Sequence, residues 1–203
     1  MPFAIESLEM IDMRMNTRQM IIDAAVKLFS EKGYNRVSVN DIAHEARVQK
    51  TMIYYYFSGK EDLFLAAWNN ALKALEKTIF SNKEENTPHK ISGVIEAYIE
   101  FAQQRKASFE LLHGDRISIQ SLKDKIRAQV NSGKEDFMNK LRMIVEEAQE
   151  KHEIRDDVPP KTLTAYFVDI LSSILMRWLI PQGTSKVEKS FIKKIVEHGI
   201  SNK

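Results

Sequence analysis

A short segment near the amino terminus combines cationic, hydroxylic and aromatic side chains at helical spacing. If Ile53 and Phe57 face the interior, a rotation of about 100° per residue turns a polar face outward. That face consists of Lys50, Thr51, Met52, Tyr54 and Tyr55. A lysine can donate to guanine O6 and N7, and threonine or methionine methyls can contact the thymine methyl group in the major groove. The segment therefore predicts a surface that reads DNA.

Phosphate contacts can come from groups around the same segment. Tyrosine hydroxyls, Lys60 and the first backbone amides of the following helix can all hold phosphate oxygens. A plainer interpretation is that Tyr54, Tyr55 and Tyr56 are ordinary half-buried aromatics and that the lysines only solvate a surface. The position of the segment between two helix-capping signals favours the DNA-contacting interpretation.

The elements that must position these side chains are short helices with clear ends. Apolar residues at Ile22, Ala25, Val26 and Phe29 predict a helix over about 17–32, which a left-handed cap at Gly33 would end. A capping box in 38–41 predicts a second helix, and a tight turn at 47–48 leads to a third over 49–57. Two short helices across a tight turn predict a helix-turn-helix.

The rest of the chain also has helical periodicity. A second capping signal, Ser58 to Glu61, predicts a fourth helix that continues to about Phe80 and is about 30 Å long. The polar stretch 81–87 is typical of a linker. Helices are then predicted over about 88–106, 107–114, 119–151, 159–181 and 185–199, with breaks or kinks expected at Gly114 and Gly133.

These motifs resemble the signature of Tet-repressor-like (TetR) regulators over about residues 15–65. The resemblance lies in Thr17-Arg18-Gln19, in the segments 29–34 (FSEKGY) and 38–43 (SVNDIA), in 53–57 (IYYYF) and in 58–63 (SGKEDL). It implies an all-α fold with an N-terminal three-helix DNA-binding head and a C-terminal helical domain for effector binding and dimerisation. The expected division is an N-terminal extension at 1–15, the head at 16–62 and the C-terminal domain at 63–203.

The resemblance also assigns roles to individual positions. Base-reading candidates are Lys50, Thr51, Met52 and Tyr55, with Asn40 as a weaker one. Phosphate-contacting candidates are Ser38, Tyr54, Tyr56 and Lys60, and Tyr56 is equally compatible with a core position. The chain departs from the common pattern at Arg47, where a turn glycine is usual, at Gln49, where a capping serine is usual, and at Thr51-Met52 in place of Gly-Thr. The last departure is expected to change the DNA sequence that is read.

Composition and charge agree with a regulator of this kind. The 203 residues include 43% apolar and 29% charged residues and no cysteine, which excludes disulfides and thiol-ligated metal sites. The net charge is +4 over 14–60, whereas 1–13 carry −3 and 61–203 carry +1. No export signal, membrane segment, metal site or cofactor is expected, so the predicted location is the cytoplasm.

The predicted helix over 159–181 has apolar residues on several faces, which one core contact cannot bury. We therefore expect a homodimer, whose interface includes Phe167, Ile170, Ile174, Trp178, Phe191 and Ile195. A monomeric bundle that buries this helix completely is the alternative. Candidate ligand-binding residues are Tyr98, Phe101, Phe109, His113, Phe137 and Tyr166, although each is compatible with an ordinary core position.

The predicted function is that of a dimeric repressor, not an enzyme. It binds a palindromic operator in double-stranded DNA and releases it when an apolar or amphipathic small molecule binds. Control by a protein partner is an alternative within the same class. A helical enzyme is the alternative from another class, but the sequence contains none of the common phosphate-binding, dinucleotide-binding, zinc-protease or serine-hydrolase motifs.

Overall fold

The computed structural model describes residues 2–80, 91–114 and 122–179 together with residues 194, 198 and 199. Side chains are described for 14–80, 91–114 and 122–177 and for the three isolated residues. The described ranges are helical and contain no β-strand, which confirms the all-α prediction. The predicted linker 81–87 lies outside the described ranges, and of the predicted helix 185–199 only residues 194, 198 and 199 are described.

The N-terminal part consists of four helices, α1 (Pro2–Lys32), α2 (Val39–Glu45), α3 (Lys50–Tyr56) and α4 (Lys60–Phe80). Helix α1 begins well before position 17, so the boundary predicted there is wrong. No glycine or proline separates residues 3 and 16, and strong helix formers dominate this stretch. Gly33 ends α1 at φ 77°, and its amide donates to the Phe29 carbonyl as expected for a left-handed cap.

The C-terminal part consists of α5 (Ile91–Gln104), α6 (Lys106–His113), α7 (Asp124–Glu150) and α8 (Pro160–Ile174). A π-helical turn, Leu175–Leu179, extends α8. Gly114 follows α6 as its C-cap, as predicted. The break expected at Gly133 is wrong, because α7 passes through this position without interruption.

Helix α4 is the structural centre of the molecule. It contacts α1 of the head and also α5, α6 and α7 of the C-terminal part. Its buried side chains, from Leu63 to Ile79, belong to one core cluster that continues from the head into the C-terminal helices. A displacement of α4 in one part of the molecule therefore requires repacking in the other.

None of the described helices combines the length and the apolar content that crossing a bilayer requires.

Candidate nucleic-acid interface and effector cavity

Helix α3 has the two faces that its sequence predicts. Ile53 and the C-cap residue Phe57 are buried in the head core. Tyr54 and Tyr55 are 53% and 62% exposed, and the remaining outward side chains, Lys50, Thr51 and Met52, are exposed as well. The Lys50 Nζ lies 5.9 Å from the centroid of the Tyr54 ring. The structure thus brings a cation, a hydroxyl, a thioether and two phenols together on one exposed helix face.

The turn between α2 and α3 is a Schellman motif with Arg47 in the left-handed conformation. Arg47 has φ 55°, its amide donates to the His44 carbonyl, and the Val48 amide donates to the Ala43 carbonyl. The position thus requires the backbone geometry that glycine adopts most easily. Gln49 is the N-cap of α3, but its side chain makes no capping hydrogen bond. Both departures from the family pattern therefore fall on positions with a defined geometric role.

The capping box of α2 forms as predicted. The Asp41 amide donates to Ser38 Oγ at 3.2 Å, and the Ser38 amide donates to Asp41 Oδ2 at 2.8 Å. Donation to the Asp41 carboxylate, first from the Ser38 hydroxyl and second from the Ser38 amide, lowers the pKa of Asp41. The Ser38 hydroxyl also donates to Asp41, so it already has an acceptor within the protein. Asn40 lies next to the box and is exposed.

Lys60 lies at the first position of α4 and is attached to the head. Its Nζ lies 4.4 Å from the centroid of the Tyr34 ring and donates to the Asn35 carbonyl at 3.4 Å. Partial burial lowers the pKa of Lys60. The Tyr34 ring therefore determines where this ammonium group lies.

Two further features of the head concern Tyr56 and the second capping signal. The Tyr56 hydroxyl is buried without a hydrogen-bond partner among the described residues, and its ring packs against the core, which favours the core interpretation. The second capping signal is used differently from the prediction. Ser58 bonds to Asp62, whereas Glu61 forms an ion pair with Lys123, at the N-cap of α7.

A cavity of about 830 Å³ lies where α4, α6, α7 and α8 meet. Its described lining includes Phe64, Trp68, His113, Lys134, Ser172 and Arg177. A second cavity, of about 270 Å³, has an apolar wall that includes Leu72, Leu75, Phe137 and Met138. Both cavities share Trp68, Leu112, His113, Lys134 and Asp169, so they are adjacent. The larger one is within the usual size range of small-molecule sites.

A buried hydrogen-bonded chain leads to the wall of these cavities. The Tyr98 hydroxyl lies 2.8 Å from His113 Nε2 and 3.1 Å from Ser172 Oγ. Burial, with a smaller effect of the Lys134 charge, lowers the pKa of His113 to about 4, so the imidazole is neutral near pH 7. Burial raises the pKa of Tyr98, and the hydrogen bond from Ser172 opposes this shift. The Tyr98 hydroxyl thus connects His113 Nε2 on α6 to Ser172 Oγ on α8.

The structure separates the candidate ligand-binding residues into three groups. His113 and Phe137 line the cavities, and Tyr98 reaches them through its bond to His113. Phe101 and Phe109 are fully buried and pack against each other with ring centroids 6.5 Å apart, outside both linings. Tyr166 is outside both linings, and its side chain is 60% exposed on the outer face of α8.

The candidate interface residues also divide. Ile170 is 51% exposed and Ile174 is half-buried, so both can face a partner. Phe167 packs into the core of its own chain and is 4% exposed. Its side chain therefore does not face outward with those of Ile170 and Ile174. Trp178, Phe191 and Ile195 lie outside the described side chains.

The chief cavity residues that sequence reasoning missed are Phe64, Trp68, Lys134, Asp169, Ser172 and Arg177. They come from three helices that are distant in the sequence, so no local motif connects them. One signal was available: Asp169, Ser172 and Arg177 interrupt the most apolar stretch of the chain, which a purely structural core helix would not need.

Comparison with known families identifies the fold. The family model for bacterial regulatory proteins of the tetR family matches residues 21–67. The model for the tetracyclin repressor-like C-terminal domain matches residues 84–197, which is more than half of the chain. The chain belongs to the TetR family. This confirms the resemblance that the head motifs indicate, and it favours a regulator over a helical enzyme.

A curated relative supports this membership over about half of the chain. The HTH-type transcriptional regulator BetI of Brucella canis is 36% identical over 95 residues, which is 46% of this chain and 48% of BetI. The chain thus spans about half the length of the curated relative that it matches.

Solved TetR-like structures share the fold over nearly the whole chain. The fatty acid degradation regulator FadR of Bacillus halodurans has a TM-score of 0.76 at 19% identity and covers 90% of this chain and 95% of its own. FadR of Bacillus subtilis, solved with stearoyl-CoA, has a TM-score of 0.73 at 21% identity and covers 90% of this chain and 99% of its own. At these identities the likeness describes the fold alone.

Proposed function

We propose that this TetR-family protein is a dimeric DNA-binding transcriptional repressor that loses operator affinity when an amphipathic small molecule binds in the cavity between α4, α6, α7 and α8. The observation that carries the proposal is the double role of Phe64. Its ring lines the larger cavity and also packs in the head core, against Phe29 and Tyr34. A ligand that changes the position of this ring therefore acts directly on the DNA-binding head.

Helix α3 is the proposed reading element. Lys50, Thr51, Met52 and Tyr55 are proposed to contact base edges, with a smaller contribution from Asn40. Lys60 and Tyr54 are proposed to contact phosphates. Smaller phosphate contributions are expected from Ser38, whose hydroxyl already bonds to Asp41, and from Tyr56, whose hydroxyl is buried.

The route from the cavity to the DNA surface is short. The centroids of the Phe64 and Tyr34 rings lie 5.2 Å apart, and the Tyr34 ring centroid lies 4.4 Å from the Lys60 Nζ. These two contacts connect a cavity-lining side chain to a proposed phosphate contact. The ion pair between Glu61 and Lys123 also ties the first turn of α4 to the start of α7. Ligand and DNA are thus proposed to act on the same few side chains.

Dimerisation is proposed to use the outer face of α8. Tyr166 and Ile170 lie one helical turn apart, and both are more than half exposed. Exposed apolar residues grouped on one helix face are typical of an interaction surface. A two-fold dimer would present two α3 helices to successive major grooves, about 34 Å apart.

Fluorescence anisotropy with labelled DNA from upstream of the coding sequence tests this function. We expect specific binding whose affinity falls steeply with salt concentration, since bound counterions are released from phosphates. A cavity ligand should weaken binding of DNA, and DNA should weaken binding of the ligand by the same factor. Absence of DNA binding, together with catalytic turnover of a ligand, would favour the helical enzyme. DNA binding that responds to a protein partner but to no cavity ligand would favour the partner-controlled alternative.

A further inference from the structure

The two cavities differ in character and meet at a charged junction. The larger one carries Ser172, Ser173 and Arg177 from the α8 side, whereas the smaller one is walled by Leu72, Leu75, Phe137 and Met138. Lys134, His113 and Asp169 belong to both linings. A molecule that occupies both cavities would therefore have an apolar part and a polar part that meet beside Lys134.

The charge at this junction is unbalanced. Lys134 is half-buried, and no described side chain forms an ion pair with it. Desolvation lowers the pKa of Lys134, since partial removal of a cation from water is unfavourable where no anion pairs with it. Lys134 and Arg177 face one carboxylate, Asp169, in the described lining. Asp169 is exposed, so water screens its charge more strongly than that of Lys134.

His113 adds a polar group and no charge to this junction. Its Nε2 is hydrogen-bonded to the Tyr98 hydroxyl, and its imidazole is neutral near pH 7. With His113 neutral, the described charged groups of the larger cavity sum to +1. Its two cationic side chains are complementary to a negatively charged, hydrogen-bond-accepting group.

We propose that the effector is an amphipathic organic anion, with its charged group beside Lys134 and His113 and its apolar part against Trp68 and the wall of the smaller cavity. The proposal rests on the proposed function only in taking this cavity as the effector site. A carboxylate and the phosphates of a larger acyl conjugate share the required chemistry. An anion at Lys134 would supply the missing counter-charge, and an apolar chain would remove the wall of the smaller cavity from water.

Calorimetric titration of the full chain with three series of matched chain length tests the sign of the charge. The probes are the carboxylates octanoate, dodecanoate and hexadecanoate, the corresponding primary alcohols and the corresponding alkyltrimethylammonium ions, all below their micellar concentrations. The coenzyme A thioesters of the same three acids distinguish a free carboxylate from a larger phosphate-bearing anion. We expect at least one anionic series to bind about tenfold or more tightly than the alcohols and the cations.

Two variants of α7 localise the effect. Lys134→Met should reduce anion affinity by about tenfold or more and leave alcohol affinity unchanged. Lys125→Met makes the same change at an exposed position of the same helix and should leave both affinities unchanged. Thermal unfolding checks that both variants are folded. Loss of anion binding by Lys134→Met supports the proposal only if this variant still binds the alcohols or the operator.

The possible outcomes separate the anionic effector from the ligand-released repressor. Equal binding of anions and alcohols, tighter binding of the cations, or binding of none of the probes would overturn the anionic effector. If another compound then releases the operator, the proposed function stands without it. If an anion binds through Lys134 but operator affinity does not change, the anionic site stands and the ligand-released repressor fails.

Discussion

His113 shows how strongly one half-buried side chain depends on its neighbours. Its Nε2 is hydrogen-bonded to the Tyr98 hydroxyl, and desolvation together with the nearby Lys134 charge lowers its pKa to about 4. The unfolded chain binds a proton at this side chain near pH 6.5, whereas the folded chain does not until about pH 4. The contribution of His113 to stability is therefore complete above pH 6.5 and is lost as the pH falls towards 4.

The first prediction follows from this difference in pKa. Between pH 7 and pH 5, the His113 equilibrium should lower the free energy of unfolding by about 2 kcal/mol. In His113→Gln this part of the decrease should disappear, while the exposed His44→Gln control should retain it. Urea unfolding at fixed protein concentration and at both pH values measures the difference. Equal decreases in wild type and His113→Gln would show that the imidazole is not buried in the neutral form.

Arg47 provides a second prediction at this scale, since its φ of 55° is unfavourable for any residue with a Cβ. Arg47→Gly should raise the free energy of unfolding by about 0.5–1 kcal/mol, because glycine adopts this conformation without steric cost. Arg47→Ala removes the same charge but keeps a Cβ, so it should give no such increase. Chemical denaturation of the two variants compares them, and a gain in Arg47→Ala as large as that in Arg47→Gly would assign the effect to the charge.

Sequence reasoning at the residue scale succeeded where bonding is local. Ser38, Asp41 and Gly33 have the roles that their spacing predicts, because each acts on backbone groups within four residues. It failed for Glu61, whose partner is Lys123, at the N-cap of a helix that is distant in the sequence. Local hydrogen bonds can be predicted from spacing, whereas long-range partners require the fold.

At the scale of elements, Gly133 explains why α7 can pack closely against α4. A Cβ at this position would lie 2.9 Å from the ring of Trp68, which is closer than van der Waals contact allows. The sequence suggested a helix break here because glycine is a poor helix former. The structure assigns the glycine to close approach of two helices, a role that depends on the partner helix and cannot be deduced from one segment.

This contact gives a third prediction. Gly133→Ala should lower the free energy of unfolding by about 1–2 kcal/mol, because the clash with Trp68 outweighs the gain in helix propensity. The double variant Gly133→Ala with Trp68→Phe should lose less than the sum of the two single losses, since the smaller ring relieves the clash. Thermal or urea unfolding of the four proteins provides the cycle. Strictly additive losses would place the cost of the alanine elsewhere.

At the scale of the whole molecule, the coupling of the cavity to the head is the least predictable feature. The family resemblance identified the head from about 50 residues, and periodicity identified most of the C-terminal helices. Neither could show that Phe64 touches both a cavity and Tyr34, because the cavity is assembled from four helices across more than 100 positions of sequence. The long helix α4 could be expected, but the residues through which it contacts the head and the cavity could not.

The fourth prediction tests this coupling. Tyr34→Leu removes the ring that lies between Phe64 and Lys60, so a cavity ligand should lower operator affinity less than it does in the wild type. Tyr34→Phe keeps the ring and should retain the wild-type coupling. Anisotropy titrations with and without a saturating ligand give the coupling factor for each protein. An unchanged factor in Tyr34→Leu would exclude this ring from the route.

The last prediction concerns assembly, which is proposed to use the exposed face of α8. Ile170 is 51% exposed beside Tyr166, and burying such a face against a second copy removes apolar area from water. Ile170→Glu would place a charge in this contact without a partner and should shift the protein towards monomers at micromolar concentration.

Met143→Glu introduces the same charge at a comparably exposed methionine on α7 and should leave the dimer intact. Sedimentation velocity measures the mass, and circular dichroism checks that both variants remain helical. The α8 interface is wrong if Ile170→Glu stays dimeric or if Met143→Glu alone dissociates. Because two linked heads bind successive grooves more tightly than one head binds a single groove, monomeric Ile170→Glu should also lose most of its operator affinity.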